Sequence, residues 1–355
     1  MAFKSRHKTC LVGDFSRYSL AKSYAYAFSQ LGMPTCLFDI HRKTPTLSWP
    51  VRNKGLHRLT MNSLILRRLF SQKVNDQLLK FISDKKCERV IFFNAEWIMP
   101  ETIKDLKSKG VLTAVFHADN PLPGNYNNRP ETMPVAHLAD IYLVWSFRLV
   151  ELLSKQGINN ARFLPFGWDE SIMPCNATTR QKLEIGVGFI GGWEPARELM
   201  LEHISKDIEV SIFGPDYWSK RTKFNSPLRK KWMGSSMVGE SFSKTVRSTS
   251  INLNILRDQH KFDGAYDGVI MRNFEVPGSG GFLLSTRTHT ASELFPEEIS
   301  GAYFSSAEEC VEKIKFYGKN TTHRESIRLS ASKIVRNNYR YTDNVKRLDK
   351  IFNEA

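Results

Sequence analysis

Short apolar runs and amphipathic stretches alternate along almost the whole chain. The runs Thr9–Gly13, Thr35–Ile40, Arg89–Asn94, Val111–His117, Ile141–Trp145 and Ala161–Pro165 read as buried strands. Between them the spacing predicts helices over Tyr18–Leu31, from Pro100 to Gly110, and up to Gly157. Proline at a helix start and glycine just past its end is the usual asymmetry. The alternation pauses over Phe166–Gln181 and restarts with Ile185–Gly191. Strands Ile208–Phe213, Ile251–Ile255 and Phe282–Ser285 follow, with helices Pro195–Ile204, Val269–Val276, Ala307–Tyr317, Ser326–Tyr339 and Thr342–Phe352.

Strands separated by helices imply parallel sheets covered on both faces. The expected class is α/β, with two Rossmann-like doubly wound domains facing a central cleft. The first spans residues 1–170, a linker spans 171–182, and the second spans 183–325. The C-terminal helices, 326–355, are expected to pack back on the first domain. A length of 355 residues supports two cores of this size. In such sheets ligands lie beyond the carboxyl ends of the strands, so the residues just after each strand are the ones to inspect.

No apolar run approaches the ~20 residues needed to cross a bilayer. The opening segment lacks the apolar core of a signal peptide, so a cytoplasmic protein is expected. The five cysteines, Cys10, Cys36, Cys87, Cys175 and Cys310, are widely spaced and contain no C-x-x-C pair. They read as reduced, mostly buried thiols, and no metal site is expected. The formal charge of +15 favours an anionic partner: a nucleotide diphosphate, an acidic lipid surface or a nucleic acid.

The segment Met271 to Ser285 is the most informative. It places Arg272, Asn273 and Glu275 on a helix, then glycines up to Gly280 and Gly281, then a buried strand. A helix start near Asp267–Val269 would offer free amides to a diphosphate, and a carboxylate suits paired ribose hydroxyls. A capped surface helix with a glycine stop explains the same residues. His117 and Asp119 end a predicted strand, where they can meet a sugar or act as a base; an Asx-type turn before Pro121 is the structural reading. Gly191 and Gly192, between a strand and a helix, can present amides to phosphate or simply form a tight turn. Arg197 and Arg272 are candidates for neutralising a diphosphate.

The segment from Phe274 and Glu275 through Gly280 to Ser285 resembles the C-terminal domain of CgeB-type spore-maturation glycosyltransferases, relatives of retaining glycosyltransferase family four. Lys8–Asp39, His117 to Pro121, Phe163 to Asp169, Val187 to Arg197, Ser250–Leu256 and Leu294 to Glu298 are similar to further blocks of that group. The resemblance implies the GT-B architecture and a hexosyltransferase-like enzyme. A nucleotide-diphosphate sugar would be its co-substrate, with no other cofactor and no required metal. Configuration would be retained, and Glu275 would hold the donor ribose. The larger family often has two glutamates seven residues apart; here the earlier position is Gly268, with Asp263 and Asp267 the nearest carboxylates.

The implied acceptor is a glycan, lipid-linked or protein group. Two basic runs, His41–Lys73 (Arg42, Lys43, Arg52, Lys54, Arg58, Arg67, Arg68) and Tyr217–Trp232 (Lys220, Arg221, Lys223, Arg229, Lys230, Lys231, with Trp218 and Trp232), suit peripheral contact with an anionic membrane. They also suit plain solvated loops. Alternatives are a nucleic-acid-binding protein or a nucleotide-sugar epimerase. No zinc-finger, RNP or basic-zipper pattern supports the former. The chain has no G-x-G-x-x-G fingerprint after its first strand and no P-loop.

Overall fold

The computed structural model describes residues 7–40, 64–95, 97–124, 129–175, 184–235 and 237–355. The chain divides into two compact units. The first comprises Met1–Trp145, Leu149–Leu164 and Thr342–Ala355; the second comprises Ser146–Arg148 and Pro165–Tyr341.

In the first unit the elements run β1 (Thr9–Gly13), α1 (Leu20–Gln30), β2 (Thr35–Asp39), α2 (Leu64–Lys85), β3 (Arg89–Phe93), α3 (Pro100–Ser108), β4 (Leu112–Phe116), α4 (Thr132–Leu138), β5 (Ile141–Val144), α5 (Phe147–Lys155) and β6 (Ala161–Phe163). The six strands form one parallel sheet in the order β2-β1-β3-β4-β5-β6. The chain steps from β1 outward to β2 and then returns to the other side at β3. The topological switch point therefore lies between β1 and β3. β1 is buried along its whole length, as a central strand covered by helices on both faces must be. α1 starts where the Ser19 hydroxyl accepts from the Lys22 amide at 3.2 Å and buries Ala21, Tyr24, Ala27 and Phe28.

The second unit runs β7 (Ile185–Ile190), α6 (Pro195–Ile204), β8 (Val210–Phe213), α7 (Tyr217–Arg221), α8 (Leu228–Lys231), α9 (Gly239–Ser248), β9 (Thr249–Asn254), β10 (Lys261–Phe262), β11 (Ala265–Tyr266), α10 (Arg272–Gly278), β12 (Leu283–Thr286), α11 (His289–Leu294), β13 (Tyr303–Phe304), α12 (Ala307–Lys319) and α13 (Thr321–Asn338). Its sheet is parallel, in the order β13-β12-β9-β7-β8, so its switch point lies between β7 and β9. β10 and β11 form a small antiparallel hairpin. Val187, Phe189, Ile212, Leu253, Leu284 and Phe304 supply the sheet's share of the core, against Leu201 and Ile204 of α6 and Tyr317 of α12.

The last helix, α14 (Tyr341–Glu354), belongs with the first unit from Thr342 onward. Within that unit Arg89 pairs with Asp349 at 2.7 Å, and both side chains are buried. The boundary thus falls inside the stretch 326–355: α13 stays with the second unit. Most of the expected linker, from 176 onward, lies outside the described residues, as do Arg42, Lys43, Arg52, Lys54 and Arg58 of the first basic run. The expected helix over Val269–Val276 begins later, at Arg272, and continues through Pro277 to Gly278.

Candidate functional site

The carboxyl edge of the second sheet gathers arginines around its switch point. Arg272, first residue of α10, donates from Nε to the Ile190 carbonyl at the end of β7, at 3.2 Å. Its guanidinium lies over the Phe242 ring, 4.6 Å from the centroid. Arg197, in the first turn of α6, is only 7% exposed. It donates from Nε to the Ile255 carbonyl just past β9, at 2.9 Å, and from Nη1 to the Gly192 carbonyl, at 3.1 Å. The two arginines therefore bracket the ends of β7 and β9. Arg257, two residues past Ile255, pairs with Glu194 at 2.5 Å. The buried His260 registers the resulting field. Burial, and then the positive charges of Arg197 and Arg257, push its imidazole down to about 3.

Glu275 lies in the same turn as Arg272, is 6% exposed, and forms an ion pair with it through Oε2. A carboxylate standing unengaged for a ribose is therefore not what the fold presents: one oxygen is committed to Arg272, and Oε1 is the one left. Arg272, with 29% of its side chain exposed, keeps most of its five N–H donors after serving Ile190 and Glu275.

Several expectations change here. The Gly191 amide donates to the Phe213 carbonyl at 2.9 Å, so it is spent on the sheet rather than on a phosphate. The Gly191 carbonyl accepts from Trp218 Nε1 at 2.8 Å. A Cβ on Gly191 would come within 2.7 Å of the Phe189 ring, whereas one on Gly192 would meet nothing within 4 Å. Gly192 is thus the open position of the pair.

Gly280 is separated from the arginines by the length of α10. Its φ is +88°, and its Cβ position adjoins Cys175, Arg336 and Arg247; Arg247 sits just before β9, at the amino edge of the sheet. Gly280 therefore serves as a helix stop, apart from Arg197 and Arg272, and its carbonyl accepts from Arg328 at 3.0 Å. Gly278, two residues before it, is required by packing, since a Cβ there would lie 2.4 Å from Trp168 Cγ.

Asn273 is 4% exposed and accepts from the Ile270 amide at 3.0 Å, which fixes the entry to its helix. Asp267 is not at a helix start, and its carboxylate is fully engaged. It accepts from the Ser146 hydroxyl at 2.6 Å and from the Thr290 amide and hydroxyl at 2.9 and 2.8 Å. Burial pushes this carboxyl up, but those bonds outweigh it and hold it below its ordinary range. Asp263, on the hairpin, pairs with Arg148 at 2.7 Å. Asp267 is thus fully engaged, and one oxygen of the exposed Asp263 is committed to Arg148.

In the first unit, His117 and Asp119 follow β4 at the carboxyl edge of that sheet. His117 is 5% exposed and stacks on Tyr142 at 5.9 Å. The Asp119 carbonyl accepts from Trp145 Nε1 at 3.3 Å. The Asx turn is made by Asn120, whose Oδ1 accepts from the Leu122 amide at 3.0 Å. Sequence reasoning missed the turn after β3, beside this sheet's switch point. Asn94 and Ala95 are both left-handed there, with φ of +66° and +47°, and Asn94 Oδ1 accepts from the Ala118 amide at 2.7 Å. Two consecutive non-glycine residues in that region carry strain of the kind that gathers at functional turns.

In the second basic run Tyr217 and Phe224 are exposed aromatics, while the two tryptophans are tied to the sheet. Trp218 is buried on Gly191, and Trp232 packs against the core and donates to the Gly214 carbonyl at 3.0 Å. Among the described residues no helix is long and apolar enough to cross a membrane.

Residues 197–350 match a family model described as glycosyl transferase-like. Among solved structures, the chain is similar to sucrose-phosphate synthase (tll1590) from Thermosynechococcus elongatus, with a TM-score of 0.70, 11% identity, and coverage of 98% of this chain and 99% of that one. It is similar to a glycosyltransferase from Rickettsia africae, with a TM-score of 0.68, 11% identity and coverage of 98% of each chain. It is also similar to Anabaena Alr3699/HepE in complex with UDP and glucose, with a TM-score of 0.66, 10% identity and coverage of 99% and 100%. At these identities the likeness is one of fold: two Rossmann-like domains of the GT-B type. The search of curated proteins gives no match.

Proposed function

We propose that this chain is a glycosyltransferase whose second unit binds a nucleotide-diphosphate sugar, with UDP as the nucleotide, at the carboxyl edge of its sheet. The observation that carries the reading is the pair of arginines at the switch point of β7 and β9, where a doubly wound sheet places its ligand. The neighbour solved with UDP and glucose supports the choice of nucleotide.

In this reading Arg272 takes the diphosphate with its remaining N–H donors, beside the open backbone at Gly192. Arg197 adds charge without leaving its two carbonyls. Transfer joins the anomeric carbon to the acceptor hydroxyl oxygen, whose proton is released, as the bond from that carbon to the diphosphate oxygen breaks and its electron pair stays on the diphosphate. A fixed guanidinium there lowers the barrier, because the charge it meets is greatest as the bond breaks. Glu275 aims Arg272 through their ion pair and offers Oε1 to a ribose hydroxyl. By the resemblance, the sugar is transferred with retention. His117 and Asp119, at the carboxyl edge of the first sheet, are assigned to the acceptor, which is a glycan, lipid-linked or protein hydroxyl.

A thermal-shift panel of UDP, UDP-sugars, ADP, GDP and their sugars tests this. At 100 times its dissociation constant a ligand adds about 2.7 kcal/mol to stability. UDP and one UDP-sugar should raise the melting temperature of the wild type. A panel in which neither UDP nor any UDP-sugar does so overturns the proposal.

A further inference from the structure

Three of the five cysteines, separated by 26 and 51 residues in sequence, meet in the first unit. Cys10 on β1 and Cys36 on β2 are register partners of parallel strands, so both sulfurs leave the same face of the sheet. Cys87 arrives just before β3 by a tight reversal at the end of α2. There the Cys87 amide donates to Ile82 and the Lys86 amide to Ser83, the double bond pattern of a Schellman stop. The residue at its left-handed corner is Lys86, with φ of +52°, whereas Gly32 and Gly110 stand at the corresponding corners of α1 and α3. The backbone thus accepts an unfavourable conformation at the turn that delivers Cys87. The three sulfurs lie within 4.8 Å of one another, and Cys36 and Cys87 are 3.1 Å apart.

We infer that Cys10, Cys36 and Cys87 form a three-thiolate site for a soft, thiophilic metal cation. Metal–sulfur bonds of about 2.3 Å place the sulfurs of a trigonal site roughly 4 Å apart, a spacing these sulfurs reach with small side-chain adjustments. Thiolate ligands select soft cations over calcium or magnesium. β2 is the edge strand of its sheet, and Cys36 is half-buried, so an ion has a route in. Each ligating thiol gives up its proton to solvent on binding. The ion would tie β1, β2 and the start of β3 together at the amino edge of the sheet. His117 and Asp119 are at its carboxyl edge, so the inference does not depend on the proposed sugar transfer.

Cadmium(II) is the probe: the reduced full-length protein is titrated without oxygen while the ultraviolet sulfur-to-metal charge-transfer absorption is followed. The site predicts a band that saturates at one ion per chain, is unchanged by Cys175→Ser, and is lost or weakened at least tenfold in affinity by Cys36→Ser and by Cys87→Ser. Should Cys10→Ser fail to fold, the half-buried Cys36→Ser still decides the matter. An absorption that never saturates overturns the assignment. So does a band that survives Cys36→Ser, or one that survives Cys10→Ser in a folded protein.

Discussion

Arg272 and Glu275 are unequal partners, and the inequality predicts which substitution hurts more. Glu275 keeps 8% of its side-chain surface and Arg272 keeps 29%. Arg272→Met leaves a buried carboxylate without its cation. Glu275→Gln leaves a guanidinium that can hydrate and that still rests on Ile190 and Phe242. Breaking a fully buried pair from one side costs about 3–5 kcal/mol. Because Arg272 is partly wet, the low end applies, about 3 kcal/mol for Arg272→Met. Glu275→Gln, which keeps the shape and an acceptor oxygen, should cost about 1 kcal/mol. The second unit holds roughly 180 residues, for which each kcal/mol moves the melting temperature by about 2–4 °C. Arg272→Met should therefore melt roughly 6–12 °C lower than wild type. The double variant should be more stable than Arg272→Met alone, with a coupling of about 1.5 kcal/mol. Urea unfolding followed by circular dichroism measures all four proteins. If Arg272→Met proves no worse than Glu275→Gln, the carboxylate is not the buried, dependent partner and the reasoning fails.

Three further outcomes follow from individual contacts. Gly278→Ala sets a Cβ 2.4 Å from a rigid indole and should destabilise by about 3 kcal/mol in chemical denaturation; a change under about 0.5 kcal/mol would mean that Trp168 does not sit where described. His260 is held down to about 3, against about 6.5 in an unfolded chain. Between those values the unfolded state binds the extra proton, so this contribution is intact above about pH 6.5 and is lost as pH falls towards 3. The slope approaches 1.4 kcal/mol per pH unit, and a His260→Gln variant that keeps the full wild-type slope would refute it. Lys86→Gly relieves a left-handed lysine and should raise stability by up to about 1 kcal/mol, since the strain relieved, about 1–2 kcal/mol, exceeds the entropy that glycine adds; a loss of stability would show that the lysine side chain matters more than its backbone.

The sheets were legible because buried parallel strands announce themselves as unbroken apolar runs. Thr9–Gly13 and Ile185–Ile190 are strands almost to the residue. Helices whose apolar face is diluted by charge were not: α2, with Arg67, Arg68 and Lys73 on it, read as part of a basic run. α4 carries Pro134, and α9 has only Phe242 and Val246 as large apolar residues on its buried face, so each left few positions to read. At the site, sequence picked out Arg197, Arg272 and Glu275 but could not show whom they touch. Whether Glu275 meets a ligand or its neighbour Arg272 depends on a rotamer, not on spacing. Gly280 lies apart from Arg272 because a helix of seven residues carries the chain from one edge of the sheet towards the other. The thiol cluster left no signature in sequence, since its members meet only through the register of β1 with β2 and the reversal before β3.

The central claim is that the arginines at the β7–β9 switch point hold a nucleotide diphosphate, and calorimetric titration of UDP tests it most directly. The comparison is between wild type and the Arg272→Met/Glu275→Gln double variant, which loses both charges together. The account predicts one UDP per wild-type chain, affinity that falls with added salt, and binding at least tenfold weaker in the double variant. Equal affinity in the two proteins, or no UDP binding by the wild type, would contradict it.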